Sequence, residues 1–434
     1  MKKSLLAVAA MTAFAGAAQA QSSVTVYGIV DAGYTGGNAR LATGATTTRE
    51  TVSRIGNSME SGSRIGFRGN EDLGGGTSAI FTFELGIQPT GNAGSNSNGT
   101  GTASATAPTA SSASNAGSPN WTPNVRQAFI GFQKNGMGNA RVGLQNTLFW
   151  EQAGSNTTGQ LAQTLGSMLA PSSDGAFFTG NLSTATNSYA GNSLGAYTSR
   201  TSNTVRFATD RMAGLIGKAA YTLSSSDASQ TTTSLGYTGG NNNQSGYQLA
   251  LDYVIQKANI QASYASFKSE NPTAIGSAAA VNATGLASVV AATANQTALG
   301  WGTGTQGTNA IDAQTLITAS YDFGILKAYA GWTDRKVTSS LNSNNYIKRQ
   351  AQEIGVRSFI TPTIEGWASV GNGRYTAQGT NSPTANITGY QLGSNYYLSK
   401  RTNLYAIYGS NATSSSSSGS FNVNQYSIGA RHTF

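Results

Sequence analysis

Gly246-Tyr247-Gln248-Leu249-Ala250-Leu251-Asp252-Tyr253-Val254-Ile255-Gln256 sets Tyr247, Leu249, Leu251, Tyr253 and Ile255 against Gln248, Asp252 and Gln256. Side chains of a strand point to opposite faces with period two, so this stretch is a strand with one apolar face and one polar face. The same alternation recurs. In Thr77 to Gln88, Ala79, Phe81, Phe83, Leu85 and Ile87 oppose Ser78, Thr82, Glu84 and Gln88. In Gln425 to Phe434, Tyr426, Ile428, Ala430, His432 and Phe434 oppose Gln425, Ser427, Arg431 and Thr433. Each run is about ten residues, the length of a tilted strand that crosses a membrane.

Sixteen such runs begin near Ser23, Ser63, Thr77, Asn124, Asn139, Asn203, Gly214, Gly246, Ala258, Asp312, Ile325, Gln352, Thr363, Ile387, Thr402 and Gln425. Their connections alternate in length. Asp72 to Gly76, Asn135 to Gly138, Asp322 to Gly324 and Ser399 to Arg401 are short. Thr90 to Pro123, Glu151 to Arg200, Glu270 to Ile311 and Thr338 to Gln350 are long and rich in small polar residues. Tight turns at one rim and long loops at the other are the pattern of an antiparallel barrel. In hydrocarbon every backbone polar group must be paired internally, so spanning strands must close on themselves. The expected fold is therefore all-β: a transmembrane antiparallel β-barrel of sixteen strands, wide enough for an aqueous channel. A solenoid needs a fixed repeat, and the spacing here is irregular.

The first residues read as an address. Lys2 and Lys3 precede an apolar run from Leu5 to Ala17, and Ala18-Gln19-Ala20 fits a small-x-small cleavage site. Residues 1–20 are thus expected to be a signal peptide cut between Ala20 and Gln21, leaving the barrel in 21–434. Loss of the two lysines lowers the formal charge from +9 to +7.

Composition excludes several chemistries. The chain has no cysteine and a single histidine, His432. Disulfides, thiolate metal sites, multi-histidine zinc sites and Ser-His-Asp catalysis are therefore not expected. Neither a catalytic residue nor a cofactor nor a metal is assigned. The 26 Lys and Arg are scattered, without the basic run a nucleic-acid surface needs, so no nucleic-acid partner is expected. Gly302 to Gly307 matches a dinucleotide fingerprint but lacks the strand and helix that its chemistry requires. Glu71-Asp72 reads as turn chemistry. Aromatic residues near run ends (Tyr27, Phe149, Tyr221, Tyr264, Tyr396, Tyr408, Tyr426 and Phe434) are candidates for the interfacial girdles of such a barrel.

Several blocks resemble the general porins of beta-proteobacterial outer membranes: Val26-Tyr27-Gly28-Ile29-Val30-Asp31-Ala32, Ser63 to Gly76, Arg126-Gln127-Ala128-Phe129-Ile130-Gly131-Phe132, Leu398 to Tyr405, and Gly429 to Phe434. The resemblance runs the length of 21–434. It implies a homotrimer among outer-membrane lipid and lipopolysaccharide, passing small hydrophilic solutes and inorganic ions. It implies that the third long loop folds into the lumen. It also maps wall arginines that face this loop onto Arg64, Arg126 and Arg200. Strand parity adds Arg68, Arg141 and Arg206 to the lumen face, because their neighbours Ile65, Phe67, Val142, Leu144, Val205 and Phe207 take the other face. The third loop contains two carboxylates, Glu151 and Asp174, and lacks the acidic tip of many family members. Several arginines in a narrow channel focus a positive field, so an anion preference is expected. A terminal aromatic such as Phe434 resembles the signal read by the outer-membrane assembly machinery. Two other classes fit a large barrel: a lipid hydrolase in the outer membrane, which would need a nucleophile and base, and a surface adhesin working through its loops.

Overall fold

The computed structural model describes residues 23–87, 89, 124–159, 166–169, 199–226, 231–233, 236–238, 242–270, 310–339, 343–344, 346–378, 384–415 and 419–434. The proposed signal peptide, its cleavage site at Ala20 and Gln21, and Asp174 lie outside these residues.

Strands β1 (Ser23–Thr43), β2 (Thr46–Asn57), β3 (Arg64–Gly74), β4 (Thr77–Gly86), β5 (Asn124–Lys134) and β6 (Gly138–Asn146) lead to helix α1 (Leu148–Ser155). Strands β7 (Arg200–Thr209) and β8 (Leu215–Ser226) follow, then a small hairpin of β9 (Thr231–Thr233) and β10 (Gly236–Thr238). The wall continues through β11 (Asn242–Ile255), β12 (Ala258–Glu270), β13 (Ala310–Asp322), β14 (Lys327–Ser339), β15 (Tyr346–Thr361), β16 (Ile364–Gln378), β17 (Thr384–Tyr397), β18 (Thr402–Ser415) and β19 (Gly419–Thr433). Each wall strand pairs antiparallel with its neighbours, with β9 and β10 left out of the wall, and β8 pairs with β11. The sheet closes where β1 meets β19, from Ile29 opposite Thr433 to Ala42 opposite Ser420. β2 and β3 share one place in the wall: β1 pairs its upper half with β2 and its lower half with β3. The result is a closed barrel of sixteen strand positions, and each of the sixteen runs expected from sequence falls on one of them. The β1–β2 hairpin was not expected. Its strands continue the wall with a largely polar sequence, Thr46 to Asn57, that has no apolar face to mark it.

The burial pattern is the reverse of a water-soluble domain. Leu249 and Leu251 are each 53% exposed, whereas Gln248, next to them on the other face of the strand, is 1% exposed. Tyr426 and Ile428 face outward, while Gln425 and Ser427 are fully covered. Apolar side chains form the outer wall and polar side chains line the lumen, which is the arrangement hydrocarbon on one side and water on the other requires. Tyr221, Tyr264, Tyr396, Tyr408, Tyr426 and Phe434 are outward and exposed, as girdle residues should be. Two of the expected girdle aromatics are elsewhere. Tyr27 faces the lumen, where its hydroxyl donates to Glu84 Oε2 at 3.1 Å. Phe149 belongs to α1 and packs under Ala153, Leu169 and Leu316. His432 is outward and shares a hydrogen bond with Thr402 Oγ1 at 2.9 Å. Phe434 exchanges two backbone hydrogen bonds of 3.1 Å with Gly28. Its ring lies where a Cβ on Gly28 would stand, so only glycine fits there.

The break between β2 and β3 turns inward. Asp31, fully buried, accepts hydrogen bonds from the backbone N–H groups of Met59 (3.3 Å), Glu60 (2.9 Å) and Ser61 (2.7 Å), and from the Tyr405 hydroxyl (2.7 Å). Met59 packs against Trp367, Tyr405 and Ile407. Glu60 accepts from Asn395 (2.9 Å) and Asn403 (3.0 Å) and pairs with Arg431 at 3.3 Å. One carboxylate therefore satisfies the donors exposed by leaving the sheet, which is the condition for breaking a strand in a covered setting.

Candidate pore constriction

Two sets of lumen groups stand out. The first lies on β3, β4, β5 and β7. Glu84 receives Arg126 Nε at 2.6 Å on one oxygen and Arg64 Nε at 3.6 Å on the other. Arg200 lies in the same field, with Arg126, Glu84 and Arg64 as its electrostatic neighbours. Two guanidinium groups thus share one carboxylate with a third in its field, and the cluster keeps an excess of positive charge. A bulge between Glu84 and Leu85 inserts Arg126 between two paired positions, Gln127 and Val125. Bulges re-aim side chains, and here the extra residue is directed at the carboxylate. Arg68 sits lower on the same wall, exposed, with its guanidinium 5.4 Å from the centre of the Tyr27 ring.

Arg141 and Arg206 are placed differently. Arg141 lies over the Phe129 ring at 5.0 Å and donates to Asn139 at 3.0 Å. Arg206 is 2% exposed and grips both oxygens of Glu151, with Nη2 to Oε2 at 2.6 Å. Lys218 reaches Glu151 at 3.5 Å and Asp252 at 2.5 Å. Parity correctly turned Arg206 inward, but its charge is spent on bracing α1 to the wall. Glu151 is correspondingly a fastening for the loop.

The third loop enters the lumen through α1. Thr147 Oγ1 caps the helix by accepting from Trp150 N at 3.1 Å, and Gln248 accepts from Leu148 N at 2.9 Å. Leu148 packs on Ala220 and Ala250, small lumen-facing residues that leave room for it. Gln152 donates to Asp252 at 2.6 Å, and Asn156 donates to Thr318 at 3.2 Å. The loop then reaches β14 to β17. Glu353 accepts from Met168 N (2.7 Å) and Ser167 Oγ (2.9 Å), while Arg349 donates to Met168 O at 2.5 Å. The Met168 side chain fills space beside Gly371 and Gly389, where added Cβ atoms would come within 2.7 and 2.5 Å of it. Sequence reading did not find this second fastening. Its signal was present only as inward Arg349 and Glu353 on one strand and glycines on the next two.

Burial alone would raise the Glu151 carboxyl, but its hydrogen bonds and ion pairs with Arg206, helped by Lys218 and Arg141, hold it below the ordinary glutamate value. A depressed carboxylate contributes stability above its unfolded pKa and loses it only as pH falls through the folded one. Protease cleavage of the third loop should therefore stay constant from neutral pH down to the ordinary glutamate range and rise only below it. Glu151→Gln should show the raised cleavage already at neutral pH. Equal cleavage of both proteins at neutral pH would refute the fastening role.

Among the described residues no group of three His, Cys, Asp or Glu is placed to hold a metal ion. What the fold and the lumen define is an outer-membrane β-barrel with a charged interior and a loop folded inside it. The chain belongs to the Gram-negative porin family, whose model matches residues 7–306. It is 43% identical over 102 residues to an outer membrane porin protein of Bordetella pertussis, covering 22% of this chain and 26% of the relative. It is 48% identical over 84 residues to outer membrane porin protein 32 of Delftia acidovorans, covering 19% and 22%. The aligned parts thus span about a quarter of the length of these curated relatives. Among solved structures, an anion-selective porin from Comamonas acidovorans shares the fold with a TM-score of 0.58 at 18% identity, covering 95% of this chain and all of that one. An outer membrane protein of Vibrio cholerae in its trimer form follows with a TM-score of 0.54 at 13% identity, covering 95% and 99%.

Proposed function

We propose that this protein is a passive, water-filled diffusion channel for small hydrophilic solutes and ions, with a preference for anions. The observation that carries this reading is the pairing of Glu84 with both Arg64 and Arg126, with Arg200 in the same field, on the wall facing the fastened third loop. Passage needs neither a covalent step nor a cofactor. Selection works through the width left by the loop and the sign of the field in it. Electrostatic interactions in such a narrow site are screened less than in bulk water, so an excess of one or two charges is enough to bias entry. The anion-selective Comamonas porin shares this architecture. We further propose that residues 1–20 are removed on export, that Phe434 serves as the terminal assembly signal, and that the barrel works as a homotrimer.

The test is planar-bilayer recording of the purified, folded protein, followed by reversal potentials in a salt gradient. Conductance steps that recur in threes, with a reversal potential of anionic sign, are the expected result. A folded barrel without conductance would remove the channel reading, and clear cation preference would remove the assigned role of the arginines.

A further inference from the structure

The constriction cluster includes one uncharged member, contributed by β1. Tyr27 stands opposite Gly66 on β3, and Gly66 stands opposite Glu84 on β4. The Tyr27 ring crosses the middle strand of this row. A Cβ on Gly66 would fall against the ring Cζ and within 2.6 Å of the hydroxyl oxygen. Only glycine leaves that gap, so the phenol reaches a carboxylate two strands away and donates to Glu84 Oε2 at 3.1 Å. The other oxygen, Oε1, accepts from Arg126 Nε at 2.6 Å. Glu84 is 5% exposed, and each of its oxygens thus has a hydrogen-bond donor.

Arg64 is placed to compete for the same oxygen. Its Nε lies 3.6 Å from Oε2, just outside hydrogen-bond range, while its Nη1 donates to Gly62 O at 3.2 Å. Its side chain is 26% exposed against 12% for Arg126, so it is the more open of the two to the lumen. A hydrogen bond from a guanidinium to a carboxylate is charge-assisted and stronger than one from a neutral hydroxyl. It also brings the charge with it. The Tyr27 hydroxyl satisfies Oε2 without doing so. A closed Arg64–Glu84 pair would instead cancel the charge that faces a passing ion. The same ring supports a second cation, Arg68, whose guanidinium lies 5.4 Å from its centre.

We infer that Tyr27 is a positioning residue for ion selectivity: its hydroxyl occupies Glu84 Oε2 and keeps Arg64 turned to the lumen. The inference deepens the proposed anion preference and rests on it. Without the hydroxyl, Oε2 is a buried acceptor that has lost its donor, a costly state that draws in the nearest N–H group. Arg64 Nε is that group, and a shift of about 1 Å brings it into range. Arg64 is then paired as Arg126 already is, and the wall presents one charge fewer to an anion. Arg68 keeps its place as long as the ring remains.

Tyr27→Phe removes the hydroxyl and keeps the ring over Gly66 and beside Arg68. Reversal potentials of the purified, folded barrel in a potassium chloride gradient provide the test. Measured for the parent, Y27F, R64Q and Y27F/R64Q, they form a cycle that reports whether the two residues act together. Y27F is expected to lower the chloride-to-potassium permeability ratio about twofold, and R64Q at least as much. Y27F/R64Q should match R64Q, because the hydroxyl then has no competitor to hold off. A parent-like ratio in Y27F would overturn the inference. So would a further fall from R64Q to Y27F/R64Q by the factor seen for Y27F alone, because the hydroxyl would then act on the pore by some route other than Arg64. The sign of the parent's own potential is a separate result. A cation-preferring parent would remove the anion preference, whereas the step from parent to Y27F, towards cations in either case, decides the role of Tyr27. Heat-sensitive mobility on gels reports that all four proteins have folded.

Discussion

Replacing Arg64 and Arg126 together by glutamate is expected to turn the proposed anion preference into a cation preference, moving the permeability ratio by about tenfold or more. Arg64, Arg126 and Arg200 with Glu84 form a cluster of formal charge +2, and the double substitution makes it −2. The large effect follows from position. The groups crowd one side of the lumen, and the fastened third loop covers the other, so an ion passes close to them with little water to screen the interaction. Reversal potentials in a salt gradient give the ratio directly. The barrel itself should survive, because its wall is held by backbone pairing that the side chains do not share. Retention of the compact, heat-sensitive mobility of a folded barrel on gels checks this. An unchanged ratio in a folded double variant would mean that ions are selected elsewhere.

The largest effect on stability is expected from Asp31→Ala. The substitution removes a fully buried carboxylate that accepts three backbone N–H groups and the Tyr405 hydroxyl. Breaking a buried charged cluster by deleting one partner costs about 3–5 kcal/mol. Here the cost includes donors of Met59, Glu60 and Ser61 that have no sheet partner because the strand has been interrupted. The Ser58 to Gly62 segment should leave the wall, taking Met59 from between Trp367, Tyr405 and Ile407. Asp31→Asn, which keeps one acceptor oxygen, should fall between the parent and Asp31→Ala. Thermal unfolding in detergent provides the order of the three. A parent-like melting temperature for Asp31→Ala would show that the inward turn holds itself.

Several residues stand where no local pattern puts them. Tyr27 stands at a strand end, where tyrosine usually meets lipid headgroups. It points inward because Glu84, two strands away in the wall, offers its hydroxyl an acceptor. Phe149 also lies near a run end, but it falls on a helix, where period two no longer applies. Parity puts Arg206 on the lumen face but names no partner for it. Its bidentate grip on Glu151 depends on where α1 docks, and no local pattern in either segment encodes that. The Met168 fastening was invisible for the same reason: Arg349 and Glu353 meet a peptide group about 180 residues away in sequence.

Local residue pattern alone accounts for the barrel, the sixteen strand positions, the face that meets lipid and the inward turn of Arg64, Arg68, Arg141 and Arg206. All of these follow from a local rule, because side chains alternate along a strand and hydrocarbon demands an apolar outer face. Only the tertiary structure decided which inward charges are shared, braced or left in excess. It alone placed the third loop on its two anchors, bent the second strand into the lumen around Asp31, and laid Tyr27 across Gly66 to Glu84. Those outcomes depend on strand register and loop docking between residues far apart in the chain. A one-residue change of register would reassign every partner while leaving the alternation in each strand intact.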